Sequence, residues 1–142
     1  MFLGMSDVVL NKVTTIERCI KRINEVYESN PVNLEDFTKQ DSIILNIQRA
    51  CEASIDLAMH LVSEHKLGIP KTSREAFEIL QKSNIIELNL AQSLMNMVGF
   101  RNIAIHDYQA LNLDILQAIL EKHLNDFKSF TIIVLQHENE RS

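Results

Sequence analysis

Val9, Val13, Ile16, Ile20, Ile23 and Tyr27 recur at steps of three and four, and that spacing returns through most of the chain. Such a stripe fits one face of an α-helix and no face of a strand, whose side chains alternate with period two. Lys12, Glu17, Arg18, Lys21, Arg22 and Glu25 fall between the stripe positions, so the opposite face is solvated. With 3 Gly and 2 Pro in 142 residues, the chain lacks the tight turns that a sandwich or barrel requires. The expected fold class is all-α.

The first helix is predicted from about Ser6 to Ser29, where "SNPVN" (29–33) ends it, because Pro31 cannot continue a helix. A second starts near Thr38 to Ser42 and runs to about Lys66, with Ile44, Ile47, Cys51, Ser54 or Ile55, Ala58 and Leu61 on its stripe. Gly68 suits the left-handed position after it, and Pro70 follows. Thr72 and Glu75 have capping-box spacing for a short third helix anchored by Phe77 and Leu80, which "SNII" (83–86) breaks. The fourth begins near Glu87 and carries Ala91, Leu94, Met95 and Val98 toward residue 99. Asn112, with Asp114 in the first turn, caps a fifth helix whose single stripe is Leu116, Leu120, Leu124, Phe127, Thr131 and Val134. The polar end "HENERS" (137–142) is expected to fray. The sum is an antiparallel four-helix bundle with an additional short helix, one domain over residues 1–142 with its core at about 6–135.

Several function classes drop out. The formal net charge of −5 argues against a general nucleic-acid coat, so any contact with RNA is local. No apolar run reaches membrane-spanning length, and "MFLGM" lacks a basic leader region, so a cytoplasmic protein is expected, with Met5 a second candidate start. Cys19 and Cys51 read as small buried hydrophobes, and "LMNMVGF" as core filler or, alternatively, a partner-facing surface. His60 and His65 are five residues apart and diverge by about 140° on a helix, while His123 and His137 have no partner at ligand spacing. No metal and no cofactor is expected: Glu-x-x-His repeats, a glycine-rich phosphate loop and a Gly-x-Ser-x-Gly elbow are all missing from the sequence.

One segment is chemically crowded. "GFRNIAIHDYQ" (99–109) packs Arg101, Asn102, His106, Asp107 and Tyr108 into eight positions, with Ile103 and Ile105 as apolar ballast. On a continuous helix Arg101 and Tyr108 share nearly one face, Asn102 and His106 stack, and Arg101 diverges from His106 but has a stem long enough to bend back. These residue types suit phosphodiester cleavage in RNA. Histidine can take the 2′-hydroxyl proton, and a planar guanidinium can bind two oxygens of the charged phosphorane. Asn102 can position phosphate or imidazole, and Tyr108 offers a hydroxyl for hydrogen bonding or modification. Gly99 reads as room for a partner chain to approach.

Arg-x4-His-x-Tyr, here Arg101, His106 and Tyr108, resembles the signature of HEPN domains, and more closely their HepT-like toxin branch. "DSIILNIQRACEASIDLAMHLVSEHKLGIP" (41–70) is similar to that branch's second helix and its ending, and "MVGFRNIAIHDY" (97–108) to its active-site segment; the resemblance spans roughly residues 5 to 135. It implies the HEPN fold and a homodimer whose two motifs face each other across a cleft. It implies a metal-independent endoribonuclease leaving a 2′,3′-cyclic phosphate, with Arg101 and His106 catalytic and Asn102 supporting, and leaves the RNA substrate open between tRNA and mRNA. It also implies a toxin–antitoxin pair in which a minimal nucleotidyltransferase antitoxin adenylylates Tyr108. An adenylyl group there would set a phosphate beside Arg101 in the position meant for substrate. Arg18, Lys21, Arg22 and Arg49 are candidates to line the RNA approach, against the competing reading of ordinary helix-surface charge. The rival function is a non-catalytic helical subunit that presents nucleotide or substrate to a nucleotidyltransferase.

Overall fold

The computed structural model describes residues 6–141, with side chains through residue 139. Among them run six α-helices: α1 (Asp7–Tyr27), α2 (Phe37–Glu64), α3 (Ser73–Lys82), α4 (Leu88–His106), α5 (Leu113–Lys122) and α6 (Leu124–Arg141), with 3₁₀ turns at Pro31–Glu35 and Tyr108–Ala110. The "MFLGM" start, and with it the choice between Met1 and Met5, lies outside the described residues.

Short polar side chains set the helix starts. Ser6, Asp36, Thr72 and Asn112 each accept a hydrogen bond from a backbone N–H in the first turn of α1, α2, α3 and α5. Asp36 explains why α2 begins at Phe37, ahead of the Thr38–Ser42 window. Glu75 returns the bond in α3, but to the N–H of Lys71 and not to that of Thr72. At the other end of α2, Lys66 and not Gly68 takes the left-handed conformation, at φ 53°. Leu67 then donates to the Val62 carbonyl at 3.0 Å. Gly68 has φ 150°, which still favours glycine.

Cross-links between helices fix their directions. Lys12 pairs with Asp56 at 2.9 Å, and Asn33 just past α1 bonds back to the Tyr27 carbonyl, so α1 and α2 are antiparallel neighbours. Cys51 Sγ–H donates to the Met97 carbonyl at 3.5 Å, while the start of α2 meets the far end of α4 through Asp41 and Tyr108, so those two are antiparallel as well. The long helices α1, α2, α4 and α6 form the bundle, with α3 packed on α2 and α4, and α5 outside them. Phe77, Phe127 and Phe130 are fully buried, and the Phe77 and Phe130 rings meet edge to face at 5.6 Å. Burial of each large apolar side chain contributes about 1.5–3 kcal/mol. Cys19, Cys51 and Met97 lie in this core, as their sequence setting suggested.

Two expectations need correction. The predicted fifth helix is two helices, because His123 leaves helical geometry at φ −122°, ψ −7°. Its N–H closes α5 on the Ile119 carbonyl, and its carbonyl accepts the Asp126 N–H in the first turn of α6. The imidazole Nδ1 lies 3.0 Å from the Asp126 carboxylate and 3.2 Å from the Ser93 hydroxyl of α4, so tertiary bonds hold the break. The apolar stripe survives because only one residue is non-helical: Leu116, Leu120, Leu124, Phe127, Thr131 and Val134 are all buried. Nor does the polar C-terminal stretch fray where it is described. Helix α6 continues to Arg141, Glu138 is fully buried with its carboxylate 3.8 Å from His65 Nε2, and the His65 and His137 rings meet at 4.6 Å.

Candidate active site

The last two turns of α4 carry Arg101, Asn102 and His106. Asn102 and His106, four residues apart, lie about 40° apart around the helix, and Arg101 lies about 140° from His106. The expected divergence is real, and it is bridged at its root: Arg101 Nε–H donates to Asn102 Oδ1 at 3.0 Å. That bond turns the base of the guanidinium toward the Asn102–His106 face. It leaves the terminal nitrogens of Arg101 and the amide nitrogen of Asn102 as donors. Arg101 and Asn102 are half-buried, while the His106 ring is exposed at the helix end.

Tyr108 does not share a helical face with Arg101. Helix α4 stops at His106, Asp107 turns away at φ −151°, ψ 65°, and Tyr108 opens the 3₁₀ turn that leads to α5. Its hydroxyl instead donates to Asp41 in the first turns of α2, 67 residues away in sequence. Partial burial raises the phenol's pKa, and the Asp41 carboxylate, as acceptor and as negative charge, raises it further, to about 12. Asp41 is a partner of the motif's tyrosine that sequence reasoning missed. No local pattern couples it to Tyr108; only the antiparallel register of α2 and α4 does.

Behind the motif, the Cys51 thiol is pushed above the ordinary thiol range by burial, which outweighs the pull of the Arg101 charge. It is a poor nucleophile and belongs to the core. Within the chain, Gly99 gives room to a side chain of α3: a Cβ there would stand 2.8 Å from the Arg74 guanidinium. Ile103 and Ile105, the apolar ballast beside the polar cluster, are 41% and 45% exposed on either side of the His106 stripe; Ile115 of α5, also exposed, lines a cavity with Ile103, and Leu113 is exposed at the start of α5.

Arg18, Lys21, Arg22 and Arg49 converge. They line one cavity of about 610 Å³ between α1 and α2, together with Glu25, Ser42, Leu45 and Asn46, and none of the four is in a salt bridge with a carboxylate among the described residues. Ser42 and Leu45 lie within about a turn of Asp41, so the cationic groove and the motif flank the same turns of α2. The Ser93–His123–Asp126 trio is no hydrolase triad, because the hydroxyl and the carboxylate both meet the same ring nitrogen, Nδ1, so no relay runs through the imidazole. Among the described residues no group of three His, Cys, Asp or Glu side chains could hold a metal ion.

A family model for ribonuclease HepT-like proteins matches residues 16–134. The chain belongs to that family. It is 50% identical over 130 residues to the mRNA nuclease HepT of Shewanella oneidensis, a match covering 92% of this chain and 98% of the relative. It is 23% identical over 137 residues to the tRNA nuclease HepT of Aphanizomenon flos-aquae, covering 89% and 93%. The fold matches a solved structure of the tri-AMPylated Shewanella oneidensis HEPN toxin in complex with its MNT antitoxin, with a TM-score of 0.88, 49% identity and coverage of 93% and 99%. The all-helical HEPN fold implied by the Arg-x4-His-x-Tyr signature is therefore the fold observed. Among the described residues no helix is long and apolar enough to cross a membrane.

Proposed function

We propose that this HepT-like chain is the ribonuclease toxin of a toxin–antitoxin pair, cutting RNA at a site built from Arg101 and His106. The observation that carries the reading is the end of α4, where an Arg101–Asn102 hydrogen-bonded pair sits one turn from an exposed imidazole. In this reading His106 takes the 2′-hydroxyl proton and the 2′-oxygen attacks the adjacent phosphorus. Arg101 binds the two non-bridging oxygens as negative charge builds, and Asn102 holds the guanidinium in place. The 5′-oxygen leaves with a proton from an imidazolium or water, and a 2′,3′-cyclic phosphate remains. Mapping product ends after incubation with purified protein tests this: cyclic phosphate supports it, and 5′-phosphate with free 3′-hydroxyl contradicts it.

The identity to an mRNA nuclease favours mRNA over tRNA as substrate. The exposed Ile103, Ile105, Leu113 and Ile115 around the motif support a homodimer that brings two copies of the site together. The α1–α2 groove supports Arg18, Lys21, Arg22 and Arg49 as the RNA approach, a local cationic surface on an acidic chain. A nucleotidyltransferase antitoxin adenylylates Tyr108 and silences the enzyme in the cytoplasm, a reading supported by the AMPylated state and MNT partner of the Shewanella toxin.

A further inference from the structure

We propose that Arg74, reached through the gap left by Gly99, is a second phosphate-binding residue on the RNA track that passes His106. The inference rests on the nuclease reading and extends it to a residue outside the sequence signature.

Three observations converge on α4. Arg74 Nε–H donates to the Met95 carbonyl at 3.3 Å, in the middle of that helix. Met95's carbonyl already serves the N–H four residues on, and the Arg74 guanidinium reaches its second lone pair across residue 99, which has no Cβ. A Cβ tilts back toward the preceding turn, and here it would stand 2.8 Å from Arg74 Nη2. The second observation is phase. Met95, Gly99, Asn102 and His106 fall within about 60° of one another around the helix, and the rise from Gly99 is about 4.5 Å to Asn102 and about 10.5 Å to His106. Arg74 therefore lies on the stripe that carries the candidate base, a short step along an RNA strand, while Arg101 reaches the same stripe from its flank through Asn102.

The third observation is availability. Arg74 is exposed and makes no ion pair with a carboxylate among the described residues. One of its five N–H donors is used by Met95, which fixes the plane of the guanidinium and leaves the rest for two phosphate oxygens. A tether between α3 and α4 would also explain the carbonyl bond. It would account equally for the glycine at the point where the guanidinium crosses; a tether alone, however, leaves the salt dependence of RNA binding unchanged when Arg74 is replaced.

The test measures binding of a short single-stranded RNA oligonucleotide against salt concentration in a His106→Ala background, together with KM, kcat and Tm in the otherwise wild-type chain. Arg74→Gln is expected to lower the slope of log affinity against log salt by about 0.7, the loss of one phosphate contact on a single strand, and to raise KM with kcat little changed. Arg74→Lys keeps most of the slope, and Lys82→Gln, at the other end of α3, keeps all of it. Gly99→Ala displaces the guanidinium without removing its charge, and is expected to weaken RNA binding while Tm holds or rises. An unchanged slope in Arg74→Gln, with the parent binding RNA, overturns this inference alone. A parent that neither binds nor cuts RNA overturns it together with the nuclease reading.

Discussion

Tyr108 and Asp41, 67 residues apart in sequence, are joined by a hydrogen bond from phenol to carboxylate that ties the loop after α4 to the start of α2. The bond has a consequence for titration. Tyr108 is held protonated to about pH 12, above its ordinary value of 10.0. A phenol whose folded pKa exceeds its unfolded pKa contributes stability in full below about pH 10, and that contribution is lost as pH rises from 10 to 12. In a Tyr27→Phe background, ultraviolet titration of phenolate should give a midpoint near 12, and Asp41→Asn should move it toward 10. A midpoint unmoved by Asp41→Asn would mean that the carboxylate does not hold the phenol.

The same bond bears on control by modification. An adenylyl group on the Tyr108 oxygen removes the proton that Asp41 accepts and places a phosphate beside that carboxylate. Co-expression with the partner nucleotidyltransferase should therefore add one or more adenylyl masses, all lost in Tyr108→Phe. Tyr27, the other tyrosine, is buried and bonded to Glu121 and should stay unmodified. An intact mass unchanged by active transferase would end the proposal.

Dimer formation has its own readout. Ile105 is 45% exposed beside His106 and lies outside the core cluster of the described residues. Ile105→Asp should leave the helical circular dichroism and Tm close to wild type while shifting sedimentation from dimer to monomer and abolishing cleavage. A variant that remains dimeric would place the interface elsewhere.

Core packing is testable through Phe130, which is fully buried in α6 and meets the Phe77 ring of α3 edge to face. Phe130→Ala should cost about 3–5 kcal/mol in chemical denaturation. A loss below about 1 kcal/mol, on the order of a surface substitution, would contradict the burial of Phe130 in the core.

Much of this was legible in the sequence because helices are local objects. The stripe from Val9 to Tyr27 and the Thr72 and Asn112 caps each depend on residues within a few positions, and each is where the spacing put it; α1 ends two residues before the predicted Ser29, in a left-handed turn at Glu28 and Ser29, and Pro31 opens the 3₁₀ turn that follows. What was not legible depends on register between helices. The break at His123 is held by Ser93 on α4, Tyr108 leaves the helical face for Asp41 on α2, and Gly99 answers to Arg74 on α3. Likewise Glu138 lies in a stretch polar enough to fray, yet it is buried because α2 ends beside it with His65. The four cations of α1 and α2 were a list of surface charges until antiparallel packing gathered them into one groove.

The central claim is that His106, held near Arg101 by the end of α4, is the base that cuts RNA. Purified wild-type protein and His106→Ala, matched for circular dichroism and oligomeric state, should be compared on one RNA in the presence of a chelator. Cleavage by wild type and at least a hundredfold less by the variant, the range expected on removing a general base, is the predicted result. Equal cleavage by the two proteins would contradict the account.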